Sequence, residues 1–397
     1  MARKSAVERL WEVNKEAEIW WDSSPVVFAN WHDKLIAEAA DKDEMTAQLD
    51  RLFNANNAPT DNLLRGVTTN PPLSYAATQD NPEYWQGWVD SYIEENKCTD
   101  TDVVYWETYK EIVRRGAATY MPMFEASGKK MGYLSGQTDP RIRHDVDKMV
   151  AQGLELAAIS PNVMIKLPGT AEGYEAIRIM TSKGIATNNT LSFIIPQFVA
   201  CMKAVADGLV EARANGVDLS GWRSVITAMS ARYGTLGDLT KDAEAAGVEM
   251  TEELMRWAEI AIFKKACKLA REYPGYEGKM LLCSMRCSPT VDGKLRSWHI
   301  EKAAGEDCVY TCPPSYLEEM ITLLDHVEFK DDTGNPVPAD VTDTLMKIPY
   351  FARGYAEDGY TAEEFNSHPA LVETARQFSE VTEKMVSFVR DRVERAS

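Results

Sequence analysis

The sequence predicts an α/β fold, and eight strand-like runs alternating with helical stretches suit a (β/α)8 barrel. Three observations carry this expectation. Each short apolar run is followed by a longer stretch with helical periodicity. No repeat, low-complexity tract or Pro/Gly/Ser-rich linker divides the 397 residues, so a single domain over 1–397 is expected. A doubly wound open sheet fits the alternation about as well, but neither G-x-G-x-x-G nor G-x-x-x-x-G-K-[ST] is present to cradle a phosphate for it.

The expected strands are residues 18–22, 64–69, 132–137, 163–167, 185–189, 224–229, 280–285 and 308–312. In the first, Trp20 and Trp21 read as core. Residues 71–130 are too long for one helix, so two or three are expected. A helix is expected after Asp139, with Pro140 in its first turn and Val146, Met149, Val150 and Leu154 on one face. Thr170 opens the next like a capping box, although Gly173 stands where Glu would be ideal, and Gly184 closes it. Residues 361–397 read as a loop and a long amphipathic helix (Phe378, Val381, Met385, Phe388, Val389) lying across the barrel.

Composition narrows the function. The chain is 45% hydrophobic, ordinary for a globular protein, and carries a formal charge of −18. That sign argues against nucleic acid and against an anionic membrane surface as partners. An anionic small substrate stays compatible, because a few local arginines outweigh a global sign. With no run of eighteen apolar residues and no signal-peptide pattern at the N-terminus, a cytoplasmic location is expected. Seven cysteines, an odd number, do not suit a secreted disulfide framework. Cys283 with Cys287 and Cys308 with Cys312 form two C-x-x-x-C pairs in apolar surroundings. They read as buried thiols in preference to a zinc site, which wants tighter knuckles. The histidines (His32, His144, His299, His326, His368) are scattered and none ends a strand, so they read as surface or cap residues. No metal is expected.

In a barrel, chemistry sits at the C-terminal ends of the strands. Those ends here supply Asp22, Asn70, Gln137, Lys166, Asn188 with Thr190, Thr227, Ser284 and Arg286. Polar groups at the ends of apolar strands are costly unless gathered into a pocket. Strand alternation sends Val163, Ile165 and Leu167 outward and Met164 and Lys166 inward. A lysine facing a barrel interior is either ion-paired with a carboxylate or chemically employed. Desolvation would lower its pKa and free the lone pair for Schiff-base formation.

Several segments resemble the transaldolase family. They are GVTTNPPL (66–73), SGQTDPR (135–141), NVMIKLPGTAEGYEAI (162–177), GIATNNTLSF (184–193), ITAMSAR (226–232) and CSMR (283–286), with a C-terminal GYTAEEFNSHPALVETARQF like that of longer bacterial members. The resemblance spans roughly residues 15 to 395 and implies a TIM barrel. It implies that Lys166 forms a Schiff base with a ketose phosphate and that Asp22 is the acid/base at the C4 hydroxyl. Asn70 and Asn188 would bind the dihydroxyacetone unit, with Thr227 beside them, and Thr190 would orient a proton-shuttling water. Arg232, Ser284 and Arg286 would hold the phosphate, the arginines through their planar forks. The partners implied are sugar-phosphate substrates, the oligomer a monomer or homodimer, and no cofactor is required.

Three positions depart from the usual pattern. Gln137 stands where most transaldolases carry Glu, and glutamine there is a feature of the fructose 6-phosphate aldolase branch. An amide positions a water but does not relay a proton. Met229 replaces a Phe or Tyr, and Thr227 replaces Ser. These changes point to a drift in acceptor, donor or partitioning between transfer and release of free dihydroxyacetone, as in a fructose 6-phosphate aldolase or a specialised sugar-phosphate aldolase, and not to loss of the lysine chemistry. An inactive sugar-phosphate-binding barrel is the further alternative, opposed by the joint presence of Asp22, Lys166, Asn188, Thr190 and both arginines.

Overall fold

Eight parallel strands close into a barrel in a computed structural model that describes residues 3–396. They are β1 (Glu18–Asp22), β2 (Leu64–Thr68), β3 (Leu134–Gln137), β4 (Val163–Pro168), β5 (Thr187–Thr190), β6 (Ser224–Met229) and β7 (Lys279–Cys283). A two-stranded hairpin, β8 (Thr290–Val291) and β9 (Lys294–Leu295), precedes the eighth barrel strand, β10 (Val309–Cys312). The strand order is β1-β10-β7-β6-β5-β4-β3-β2, with β1 hydrogen-bonded to both β2 and β10. Closure removes both sheet edges and with them the open-sheet alternative.

Every expected barrel strand is present, with small shifts at the ends. β7 stops at Cys283, short of the expected 285, because Ser284 takes φ +60° and turns the chain out of the sheet. β3 begins at Leu134 because Gly132 sits at φ +83°. The hairpin at 290–295 was not anticipated. Residues 71–130 form three helices, Pro71–Asp80, Pro82–Asn96 and Thr101–Ala126.

The helix expected after Asp139 starts later. A 3-10 turn, Pro140–Ile142, comes first, and Asp145 caps the helix Val146–Ala157 by accepting from the Lys148 N–H (3.0 Å). Its buried face is Met149, Gly153 and Leu156, so Leu154 is exposed and not on the core side. The helix Ala171–Ser182 has the expected Thr170 cap. A Cβ on Gly173 would lie 2.0 Å from the Pro168 carbonyl oxygen, so no Glu could complete the box there.

The lower barrel interior is filled by Trp20, Met164, Ala186, Val225, Leu281 and Val309, closed from below by Phe124 and Tyr133. Gly66 makes room for Trp20, whose ring would meet an added Cβ at 2.5 Å. The floor is charged yet buried. Glu18 accepts from Trp20 Nε1 (3.0 Å) and pairs with Arg223, which lies over the Trp20 and Tyr133 rings. Trp21 points outward and packs on Phe28 and Trp31. Both tryptophans are core.

The last helix, Pro369–Ala396, buries Phe378, Met385 and Val389 and packs on the helices Pro71–Asp80, Pro82–Asn96 and Thr101–Ala126. It thus runs across one end of the barrel, as expected. Two histidines correct the surface assignment, His299 and His368 being fully buried. His299 has polar partners on both ring nitrogens. His368 stacks on Phe193 and contacts Tyr350 and Tyr360, and burial pushes its pKa down to about 3, so it is neutral. Cys283, Cys308 and Cys312 are buried and Cys287 is half-buried. Among the described residues no helix is long and apolar enough to cross a membrane.

Candidate active site

Above the apolar layer each barrel strand contributes a polar or thiol side chain: Asp22, Thr68, Ser135, Lys166, Asn188, Thr227, Cys283 and Thr311. They follow the inward alternation set two residues earlier in the chain by Trp20, Gly66, Tyr133, Met164, Ala186, Val225, Leu281 and Val309. The register sets Gln137, Lys166 and Asn188 side by side on β3, β4 and β5.

Lys166 is 3% exposed, and its Nζ donates to the Thr69 carbonyl at 3.1 Å. Among the described residues no ion pair joins it to Asp22 or to any other carboxylate, which removes the simple structural salt bridge. Burial lowers its pKa, opposed by the nearby charge of Asp22. Asp22, 9% exposed, is displaced the other way. Burial raises its pKa, while Lys166 and the Thr68 hydroxyl, which donates to Oδ1 at 2.7 Å, pull it back. Both shifts favour an uncharged amine beside a protonated carboxyl, the states needed for nucleophilic attack and for acid catalysis.

The GVTTNP segment builds this corner residue by residue. Gly66 admits Trp20, Thr68 holds Asp22, and the Thr69 carbonyl holds Lys166 while its hydroxyl donates to the Ser135 carbonyl (2.7 Å). Asn70 caps the helix Pro71–Asp80, its Oδ1 accepting from the Leu73 N–H (2.9 Å). That engages its side-chain oxygen in the cap. Asn188 is fully held: Nδ2 donates to Ser135 Oγ (2.9 Å) and Oδ1 accepts from Thr227 Oγ1 (2.8 Å).

Gln137 is buried, and its Oε1 has no hydrogen-bond partner among the described residues. Such an acceptor is costly to keep and points to a bound molecule or water as its partner. Its backbone N–H, beyond the end of the β2 ladder, donates to the Tyr109 hydroxyl (2.7 Å). Among the described residues the Thr190 hydroxyl reaches only the Met229 sulfur, at 3.9 Å, so it is weakly engaged.

At one side of the site stand two guanidinium groups. Arg232, in the first turn of the helix Ser230–Leu236, is half-buried. Its Nη1 donates to Gln377 of the last helix (2.8 Å), and its Cζ lies 5.5 Å from the Phe378 ring centre. Burial lowers its pKa and the Arg286 charge adds to that, so the pair favours an anion between them. Arg286 is exposed, its Nη1 folded onto the Ser284 and Met285 carbonyls. Ser284 and Leu191, each just past a strand of the site, are non-glycine residues at φ +60° and +53°. Backbone strain of that kind clusters at functional sites.

Sequence reasoning missed Thr68, Ser135, Cys283 and Thr311. Cys283 Sγ lies 4.0 Å from Asp22 Oδ2, and burial pushes its thiol up to about 11, so it is a neutral wall of the site. Thr311 meets the Thr68 hydroxyl and extends the chain of hydrogen bonds that ends on Asp22. Strand alternation is the signal that would have found all four. Their small size hid them.

Comparison with known proteins finds similarity to transaldolases. The chain is 33% identical over 198 residues to Transaldolase 1 of Streptomyces avermitilis, covering 49% of this chain and 51% of that protein. It is 35% identical over 198 residues to Transaldolase 1 of Streptomyces coelicolor, covering 49% and 51%. It is 31% identical over 199 residues to the transaldolase of Thiobacillus denitrificans, covering 50% and 54%. The chain spans about half the length of the curated relatives it matches. A family model for transaldolase/fructose-6-phosphate aldolase matches residues 39–368, most of the barrel, and the chain belongs to that family.

Proposed function

We propose that the protein is a transaldolase, working in one barrel domain on sugar phosphates, in the cytoplasm, as a monomer or homodimer. Lys166 attacks the ketose carbonyl as the free amine, the protonated Asp22 carboxyl gives its proton to the departing water and becomes a carboxylate, and an iminium forms as electron sink. Asp22 takes the proton of the C4 hydroxyl as the C3–C4 bond breaks. An aldose phosphate departs and a dihydroxyacetone enamine stays on Lys166. The enamine then attacks a second aldose phosphate, Asp22 returns the proton, and hydrolysis frees the new ketose. The exchange is of the type sedoheptulose 7-phosphate and glyceraldehyde 3-phosphate to erythrose 4-phosphate and fructose 6-phosphate.

The observation that carries this reading is the state of Lys166, a buried amine with a lowered pKa, bonded to a backbone carbonyl and not to a carboxylate. Asn70, Asn188 and Thr227 would bind the dihydroxyacetone unit, Thr190 and Gln137 would hold the water that moves protons at the lysine, and Arg232, Ser284 and Arg286 would take the phosphate. A second reading, release of free dihydroxyacetone, is favoured by one residue. Gln137 offers an unpartnered amide oxygen where a transferring enzyme uses an acid/base.

Incubation with fructose 6-phosphate and borohydride, followed by peptide mass spectrometry, tests the chemistry. A reduced adduct on the peptide containing Lys166 is expected. Turnover with an unmodified Lys166 would end the Schiff-base reading, and neither adduct nor turnover would favour a binding protein.

A further inference from the structure

Arg286 is anchored through its backbone. Its N–H donates to His299 Nδ1 (3.1 Å), and its carbonyl accepts from Ser297 Oγ (3.0 Å). His299, on the short helix Trp298–Glu301, is buried, as are Glu259 and Arg256 on the helix Glu252–Glu272. His299 Nε2 lies 2.7 Å from Glu259 Oε2, and the same oxygen lies 2.8 Å from Arg256 Nη1. Because Nδ1 accepts the Arg286 N–H, Nε2 carries the ring proton and donates to Glu259, which fixes the tautomer. On its other side Glu259 touches the helix that carries Arg232: a Cβ on Gly234 would lie 2.1 Å from its Oε1. One buried carboxylate therefore contacts the supports of both guanidinium groups.

We propose that His299 is a positioning residue for the phosphate end of the site, held in its Nε2–H form by Glu259. This rests on the reading of Arg232 and Arg286 as the phosphate-holding pair. His299 does not touch the substrate. It holds the Arg286 amide, and with it the turn through Ser284, which a left-handed φ leaves without ladder support. Held this way, Arg286 meets the phosphate without first being ordered.

Two substitutions separate this role from space filling. In His299→Asn the side-chain oxygen falls where Nδ1 stood and keeps an acceptor for Arg286. In His299→Gln the amide falls where Nε2 stood, keeping the Glu259 contact but leaving the Arg286 N–H bare. His299→Gln is expected to raise KM for fructose 6-phosphate five- to tenfold, with kcat within twofold and KM for fructose unchanged. His299→Asn is expected to stay within about twofold of wild type in each respect. Hydrogen exchange at the peptide 284–289 should quicken in His299→Gln and not in His299→Asn. Equal behaviour of the two variants, equal losses on both donors, or failure of both to fold would make His299 a structural residue and overturn the proposal. If the wild type binds fructose 6-phosphate no better than fructose, the phosphate reading itself fails. The exchange measurement then decides alone whether His299 holds the turn.

Discussion

Arg232→Ala is expected to weaken phosphorylated donors about 30- to 150-fold and to leave unphosphorylated donors close to wild type. Truncating one partner of a desolvated charge pair costs about 2–5 kcal/mol. Arg232 is half-buried, and Arg286 would remain beside the phosphate, so the low end applies, about 2–3 kcal/mol. At 1.4 kcal/mol per factor of ten, that is about 30- to 150-fold. Arg286 is exposed, and its Nη1 is already bonded to the Ser284 and Met285 carbonyls, which compete with a phosphate. Arg286→Ala should therefore remove about one charge-assisted hydrogen bond, about 1.5–2 kcal/mol or 10- to 30-fold. The assay is steady-state cleavage of fructose 6-phosphate and fructose in parallel, at fixed ionic strength because exposed charges are screened by salt. An Arg286→Ala loss larger than that of Arg232→Ala would refute the burial argument. Equal losses on both donors would show that the arginines support the fold instead.

Lys166→Met should abolish both turnover and the borohydride adduct, yet give a protein more stable at pH 7, because methionine carries no charge for burial to penalise. The folded pKa of Lys166 lies below its ordinary 10.5, so the unfolded chain binds more protons and the penalty is full below the folded pKa. The gain should accordingly fade as pH rises toward about 10.5, and chemical denaturation across pH 6–11 reads it; a gain that grows with pH would refute a lowered folded-state pKa for Lys166. Gln137→Glu should raise transfer to erythrose 4-phosphate relative to dihydroxyacetone release, by at most the ~10²–10⁴-fold range of general acid/base catalysis. Equal loss of both activities would mean that the pocket is built around the amide.

Much of the site was legible because a barrel converts strand position into geometry. Alternation in VMIKL put Lys166 inside, and the polar residues that interrupt apolar runs marked the rim. The small inward groups were harder to see. Thr68 and Thr311 are ordinary strand residues until closure of the sheet brings β10, β1 and β2 together and joins them to Asp22. The late start of the helix Val146–Ala157 escaped because Asp139 and Asp145 both carry capping signals, and each is used. His299 looked like a surface residue because its partners, Glu259 and the Arg286 amide, lie 40 and 13 positions away.

Local sequence thus sufficed for the eight barrel strands, the inward lysine of β4 and the Thr170 cap, since period-two alternation and side-chain capping act over a few residues. Closure as a barrel, the opposed pKa displacements of Lys166 and Asp22, and the anchoring of Arg232 by Gln377 are tertiary. Each depends on desolvation or on contact between groups far apart in the chain. Gln377 reaches Arg232 across 145 positions, a distance that no local pattern encodes and that only the packing of the last helix on the barrel closes.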